Sequence, residues 1–182
     1  MLMTPKKAIT MLVTLAAIFL LTGTSIASDV TKGIPGLKWG DLVKNAKGYR
    51  LQHCGEISAR GDPSFYTILS PEDFKMVGLS SKTHKAWTPP ILWTYNNRLL
   101  GVQFDLADTN NAVTALLKEL GEPTKKRSNN TTYGICEWKI KNSVLIKALD
   151  LRKMGYTVQI YHIPTLKKLN DARKKLGMEA WE

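Results

Sequence analysis

The stretch from Asn110 to Ile163 changes its apolar rhythm once, and that change constrains the fold more than any other feature of the chain. Val113, Leu116, Leu117 and Leu120 recur at i, i+3, i+4 and i+7, which collects them on one helical face. Asp108 or Thr109 can cap the start, and Gly121 with Pro123 ends the helix. Behind it the period falls to two. Cys136, Trp138 and Ile140 alternate with Glu137 and Lys139, and Asn142-Ser143 marks a turn. Val144 to Leu149 is apolar on both sides except at Lys147, which suits a central strand. After Gly155, Tyr156, Val158 and Ile160 alternate with Thr157, Gln159 and Tyr161. One helix and three antiparallel strands, each with an apolar face, bury those faces by stacking in layers. The expected class is therefore α+β, an antiparallel sheet with packed helices.

The preceding residues repeat the theme. Ile91 to Leu106 reads as a hairpin about Asn96-Asn97, with Leu100, Val102, Phe104 and Leu106 alternating with Gly101, Gln103 and Asp105. Asp41 can cap a short helix over Leu42 to Ala46. Strands are expected at Tyr49–Cys54 and Phe65–Leu69, and Ser70-Pro71 resembles a short helix start. The order helix, strands, helix, strands suggests two tandem halves, 37–106 and 109–163, in one domain spanning 37–177. A mobile leader, 28–36, precedes it, and Leu37 and Trp39 are expected to plug into the core. A C-terminal helix over 164–177 carries a narrow stripe of Leu166, Leu169, Ala172 and Leu176 and is stopped by Gly177. Lys167, Lys168, Arg173, Lys174 and Lys175 make it basic. The favoured reading docks the stripe on the sheet with the charges in solvent; the alternative lays the helix on a membrane surface.

The N-terminus reads as an address. Lys6 and Lys7 precede an uncharged apolar run, Ala8 to Leu21, and Ser25-Ile26-Ala27 is a small-x-small cleavage site. The run is short for a membrane span, although an uncleaved anchor is the second reading. No cysteine stands near the cleavage point, so a lipoprotein box is missing. The expectation is removal of the signal peptide 1–27 and a periplasmic or secreted protein of roughly 155 residues. The chain has 26 Lys and Arg against 15 Asp and Glu, a formal charge of +11. Such an excess favours acidic partners, namely an anionic membrane or wall surface or an acidic protein, although net charge taken alone is read first as serving solubility. Nucleic acid fits the charge but not the compartment. Cys54 and Cys136 are an even pair that an oxidising compartment permits to bridge, while the apolar face of its strand makes Cys136 equally a buried thiol.

Catalytic signatures are missing. There is no Cys-x-x-Cys, His-Glu-x-x-His, glycine-rich phosphate loop or Gly-x-Ser-x-Gly. His53 and Cys54 are neighbours in a strand and point to opposite faces, so they make a poor couple. No catalytic, cofactor-binding or metal residue is assigned, and no cofactor is expected. One stretch stands out for contact. Lys82-Thr83-His84-Lys85-Ala86-Trp87-Thr88-Pro89-Pro90 is basic, aromatic and proline-stiffened, either a connector whose Trp87 packs down or an exposed contact loop using Lys82, His84, Lys85 and Trp87.

Ile34-Pro35-Gly36-Leu37-Lys38-Trp39-Gly40, the later Leu120-Gly121-Glu122-Pro123 and the strand bearing Trp138 resemble a group of short exported bacterial proteins of unknown function. The layout resembles the helix-plus-sheet fold of the β-lactamase-inhibitor-protein-like and BamE (SmpA/OmlA) domains. The resemblance covers most of the chain behind the signal. It implies a non-catalytic binding or assembly module of the cell envelope with a protein partner, and it carries over no functional residue. A basic surface-associated protein is the alternative, and an enzyme whose site assembles from scattered residues a more distant one.

N-terminal sequencing of the exported protein is expected to begin at or near Ser28; retention of Met1 to Ala27 would show that the segment is an anchor.

Overall fold

A computed structural model describes residues 30–48, 50–56, 62–69, 74–107, 109–128, 134–151 and 155–181. The expected signal peptide, the Ser70-Pro71 helix start and the Asp108 cap lie outside them.

In chain order the elements are Gly33–Ile34 (β1), Leu37–Lys38 (β2), a 3-10 turn at Val43–Asn45, Arg50–Glu56 (β3), Ser64–Leu69 (β4), Lys75–Met76 (β5) and Leu79–Ser80 (β6). Ile91–Tyr95 (β7), Arg98–Leu106 (β8) and Thr109–Leu120 (α1) follow. Lys125–Ser128 (β9), Gly134–Ile140 (β10), Val144–Asp150 (β11), Tyr156–His162 (β12) and Ile163–Lys175 (α2) complete the order. Among the described residues eight strands form one antiparallel sheet in the order β3-β4-β7-β8-β12-β11-β10-β9. The two halves expected from the sequence are thus four-stranded meanders, each running from an edge to the centre, and they meet where β8 pairs with β12. β1 pairs with β2 and β5 with β6 as small separate ribbons.

Local chemistry accounts for the turns. Asn96 and Asn97 adopt φ of 51° and 57°, the positive values that a two-residue hairpin of matching twist requires. Gly121 ends α1 at φ 71°, where a side chain would be strained.

The sheet has two unlike faces. On one, Val102, Phe104, Leu106, Ile146, Val158, Ile160 and Trp138 join Ala112 and Leu116 of α1 in the main core. The helix presents a face slightly rotated from the one expected. Ala112 and Leu116 are fully buried, whereas Leu117 is 38% exposed. Trp138 is buried and its indole N–H donates to the Gly121 carbonyl at 2.9 Å, so the end of α1 and β10 are fastened by burial and a hydrogen bond together. On the other face a second, smaller core forms under α2. Leu100, Tyr161 and Leu169 are its centre, with Trp93, Tyr95, Leu145, Leu166 and Trp181 around them.

Several expectations need correction. Residues 30–36 are no loose leader: Val30 is buried, its carbonyl accepts from the Trp39 indole at 2.7 Å, and Gly33–Ile34 is a strand. The expected helix over Leu42–Ala46 is one 3-10 turn. A fourth C-terminal strand, β9, precedes the three expected; its basic run Lys125-Lys126 carries no apolar alternation because it is an edge strand. The C-terminal helix docks its stripe as favoured, with Leu169 fully buried, but Leu176 is 55% exposed. Arg173 is not among the solvated charges. It pairs with Asp62, donates to the Glu179 carbonyl at 2.8 Å and lies 5.7 Å from the Trp181 ring centre. Ordered structure therefore continues past 177, where Trp181 returns onto Trp93 at 5.7 Å between ring centres.

Trp138→Ala is expected to cost about 3–5 kcal/mol in urea unfolding, the range for truncating a fully buried aromatic. Leu117→Ala on the exposed flank of α1 should move the midpoint far less, and equal effects would mean the helix face is misplaced.

Candidate functional site

The residues singled out for contact sit on a turn tied down at both ends. Ser81 N–H donates to the Phe74 carbonyl at 3.0 Å, and Phe74 N–H donates to the Ser81 hydroxyl at 3.0 Å. Ala86 N–H closes the turn on the Ser81 carbonyl at 2.9 Å. Trp87 N–H then donates to the Asp105 carbonyl at 2.9 Å, and Ala107 N–H to the Lys85 carbonyl at 3.1 Å. These bonds bind the turn to the end of β8.

Of the four expected contact residues, Lys82, Lys85 and Trp87 face solvent. Trp87 is 57% exposed, the most exposed large hydrophobic side chain among the described residues. His84 is not part of that surface. It is buried, with Nδ1 accepting from the Ser80 N–H at 3.0 Å, so its ring closes the turn from inside. Its sequence neighbours gave no sign of this, because burial of a histidine follows from the local turn rather than from periodicity. A shallow pocket of about 250 Å³ lies beside Trp87, lined by Phe74, Ser81, Ala86, Pro89 and Pro90.

The turn adjoins a row of polar side chains on the face of the sheet opposite the main core. Asp105 is the hub. Its carboxylate accepts from Thr157 at 2.8 Å, from the Gln103 amide at 3.1 and 3.2 Å and from Thr88 at 3.4 Å. Gln159 extends the row by donating to Gln103 at 3.1 Å. These residues were legible as the polar side of two alternating strands. Their meeting was not, because it depends on the pairing Thr157↔Asp105 and Gln159↔Gln103 between strands roughly 50 residues apart. A carboxylate so engaged serves as an acceptor that orders its neighbours. Together, Trp87, Thr88 and this row make a mixed aromatic and polar surface bonded to β8.

The cysteines are far apart. Both are free thiols, Cys54 exposed on β3 and Cys136 half-buried on β10. Six strand intervals separate β3 from β10. That is roughly 29 Å at 4.8 Å per interval, against the roughly 7 Å between Cα atoms that a disulfide allows. The bridge admitted from the sequence is thus not made. Cys54 Sγ instead lies 3.0 Å from the Thr67 hydroxyl, and burial pushes the Cys136 thiol pKa up. Among the described residues no group of three or more His, Cys, Asp or Glu is arranged to hold a metal ion.

His162 stands at the end of β12. Burial first and Lys168 second hold its imidazole below the usual value of 6.5. Its ring stacks on Trp39 at 6.0 Å with planes 6° apart, and Nδ1 lies 2.8 Å from the Thr165 hydroxyl.

No family model matches the sequence, and no curated protein matches it. Among solved structures the chain is similar to a DUF4309 family protein, YjgB, from Bacillus subtilis subsp. subtilis str. 168. The identity is 9% with a TM-score of 0.34, over 77% of this chain and 95% of that one. A likeness that slight carries no argument about fold or function.

The His162 displacement has a direction that can be measured. Below pH 6.5 the unfolded chain binds a proton that the folded chain resists, so this group makes stability fall as pH falls, until the folded value is passed. His162→Gln should lessen the loss of urea stability between pH 7.5 and 5.5; an unchanged difference would assign the loss to other groups.

Proposed function

We propose that this chain is an exported, non-catalytic binding or assembly module of the bacterial cell envelope, and that it holds a protein partner through the 82–88 turn and the polar row beside it. The observation that carries the reading is Trp87. A tryptophan 57% exposed is costly to leave in water, and here it stands on a turn whose backbone is bound to β8. Tryptophan is over-represented among the residues that dominate protein interfaces, because one side chain desolvates a large area with few rotors to freeze. A turn already held in shape loses little further entropy on binding. Gln103, Thr157 and Gln159 add the polar groups that fix orientation around such an anchor. Export rests on the Lys6/Lys7, apolar and Ser25-Ile26-Ala27 series. A binding or assembly role is also what the resemblance to the β-lactamase-inhibitor-protein-like and BamE-like domains implies.

A second reading, attachment to an anionic membrane or wall surface through α2, is favoured by one observation. With its stripe docked, the helix still exposes Lys167, Lys168, Lys174 and Lys175. In that case the helix acts through charge rather than by inserting its apolar face. Salt separates the two readings, since attachment through exposed charges weakens steeply with ionic strength.

Trp87→Ala should abolish capture of the partner from envelope extracts while shifting stability by no more than about 0.5 kcal/mol, as for a surface position. Leu176→Ala, an exposed apolar position elsewhere, should leave capture intact. Capture that survives Trp87→Ala and disappears with added salt would transfer the role to α2.

A further inference from the structure

At the other end of β8 from the contact turn, a pocket of about 480 Å³ opens where the β7–β8 turn meets the start of α2. Its lining includes Gly40, Tyr95, Arg98, His162, Thr165 and Lys168, and no acidic residue lines it. Three basic side chains from two elements and one junction thus share a single concavity. Among the described residues neither Arg98 nor Lys168 has a carboxylate within ion-pair distance. Mutual repulsion makes such a grouping unfavourable unless an anion relieves it.

Two of the three are already positioned. Arg98 donates one guanidinium N–H to the Gly40 carbonyl at 2.9 Å, which anchors the group and leaves its other donors. His162 is held by its stack on Trp39 and by the Thr165 hydroxyl at Nδ1, so Nε2 is its remaining nitrogen. Lys168 on α2 is the third basic group.

We propose that this pocket binds a phosphate group. A planar guanidinium matches two oxygens of an oxyanion, an ammonium supplies a point charge, and an imidazolium supplies one further donor. A phosphate's two negative charges and several acceptor oxygens meet all three partners, whereas a carboxylate offers one charge and two oxygens. The volume exceeds that of the group alone, so the pocket also has room for what carries it. The same chemistry is offered by free phosphate and by the glycerol phosphate headgroup of a lipid.

After burial, Lys168 on α2 is the second cause of the depressed titration of His162, which it faces. Arg98 on β8 lines the same space, Trp39 and Gly40 of the N-terminal segment are uncharged, and Val144 of β11 stands opposite in the strand pairing. A bound dianion reverses the electrostatic contribution, so binding takes up a proton and is tighter at pH 6 than at pH 8.

The test is a titration of the isotope-labelled protein with inorganic phosphate and with glycerol 3-phosphate, with chloride as control, following the His162 ring signals. Saturable binding is expected, tighter at the lower pH, and weakened at least tenfold by Arg98→Gln and by Lys168→Gln but not by Lys174→Gln. Lys168 is exposed, so its substitution leaves folding intact even if loss of the Arg98–Gly40 bond does not. Phosphatidylglycerol vesicles that sediment the protein, with glycerol 3-phosphate bound more tightly than phosphate, identify a headgroup as the source. Equal affinities and no sedimentation identify free phosphate. Shifts that never saturate, or that Lys174→Gln weakens as much as Lys168→Gln, overturn the proposal. The contact turn lies roughly 23 Å away along β8 at 3.3 Å per residue, so Trp87→Ala should leave this binding unchanged.

Discussion

The pairing of β8 with β12 holds the molecule together. Tyr156↔Leu106, Val158↔Phe104 and Ile160↔Val102 stand opposite one another and all six residues are buried on the main core face. Cross-strand apolar contacts of this kind are where an antiparallel sheet gains most of its stability. Gly101 lets the strands close at the far end. A Cβ there would fall 2.6 Å from the Ile160 carbonyl oxygen and 2.8 Å from the Tyr161 ring. The same register that buries three apolar pairs on one face aligns Asp105 with Thr157 and Gln103 with Gln159 on the other. A slip of one residue would exchange the faces and lose both sets of contacts.

The functional geometry follows from how the second face is divided. α2 covers the end where Leu100, Tyr161 and Trp93 collect, and Arg173 fixes the arrangement by joining Asp62, the Glu179 carbonyl and Trp181. Beyond the helix the residues of the polar row are half-buried, and the turn carrying Trp87 is bonded to the strand beside them. The start of the helix meets the β7–β8 turn and encloses the basic pocket. One strand thus carries the proposed contact surface at its C-terminal end and the basic side chains of the pocket at its N-terminal end.

What could be read from the sequence was what depends on near neighbours. The Asn96-Asn97 hairpin and the inward positions Val102, Phe104 and Leu106 of β8 and those of β10 and β12 follow from local periodicity and turn chemistry, and they appear as expected, whereas Leu100, expected on the face of Val102, turns to the second core because the β7–β8 pairing shifts register beside it. So does the docking of α2, because a stripe with Leu169 at its centre needs only a sheet to meet. The edge strand β9 was hidden because edge protection favours charge over alternation. The helical face of α1 turned slightly because Ala112 permits closer approach to the sheet than Leu117 would, a choice made by tertiary packing. Of the proposed contact surface, the Trp87 turn was visible as a composition, but the burial of His84 and the meeting of Asp105 with Thr157 were not. Cys54 and Cys136 were countable, yet their separation is a property of strand order, which local sequence does not encode.

The edge-to-centre course of both meanders has a consequence for the order in which the chain can complete itself. β8 is the last strand of the first meander and its partner β12 is the last strand of the second, so some 50 residues must follow Leu106 before Tyr156 arrives. At usual rates of synthesis that is about 3–10 seconds. Throughout that interval the longest strand of the sheet has one side of its backbone unpaired, the condition in which strands recruit copies of themselves. The helix α1, made directly after β8, is the first element able to shelter its core face, but it cannot supply the missing hydrogen bonds. β12 does that, so the exposed edge of β8 persists until the last strand of the second meander is made.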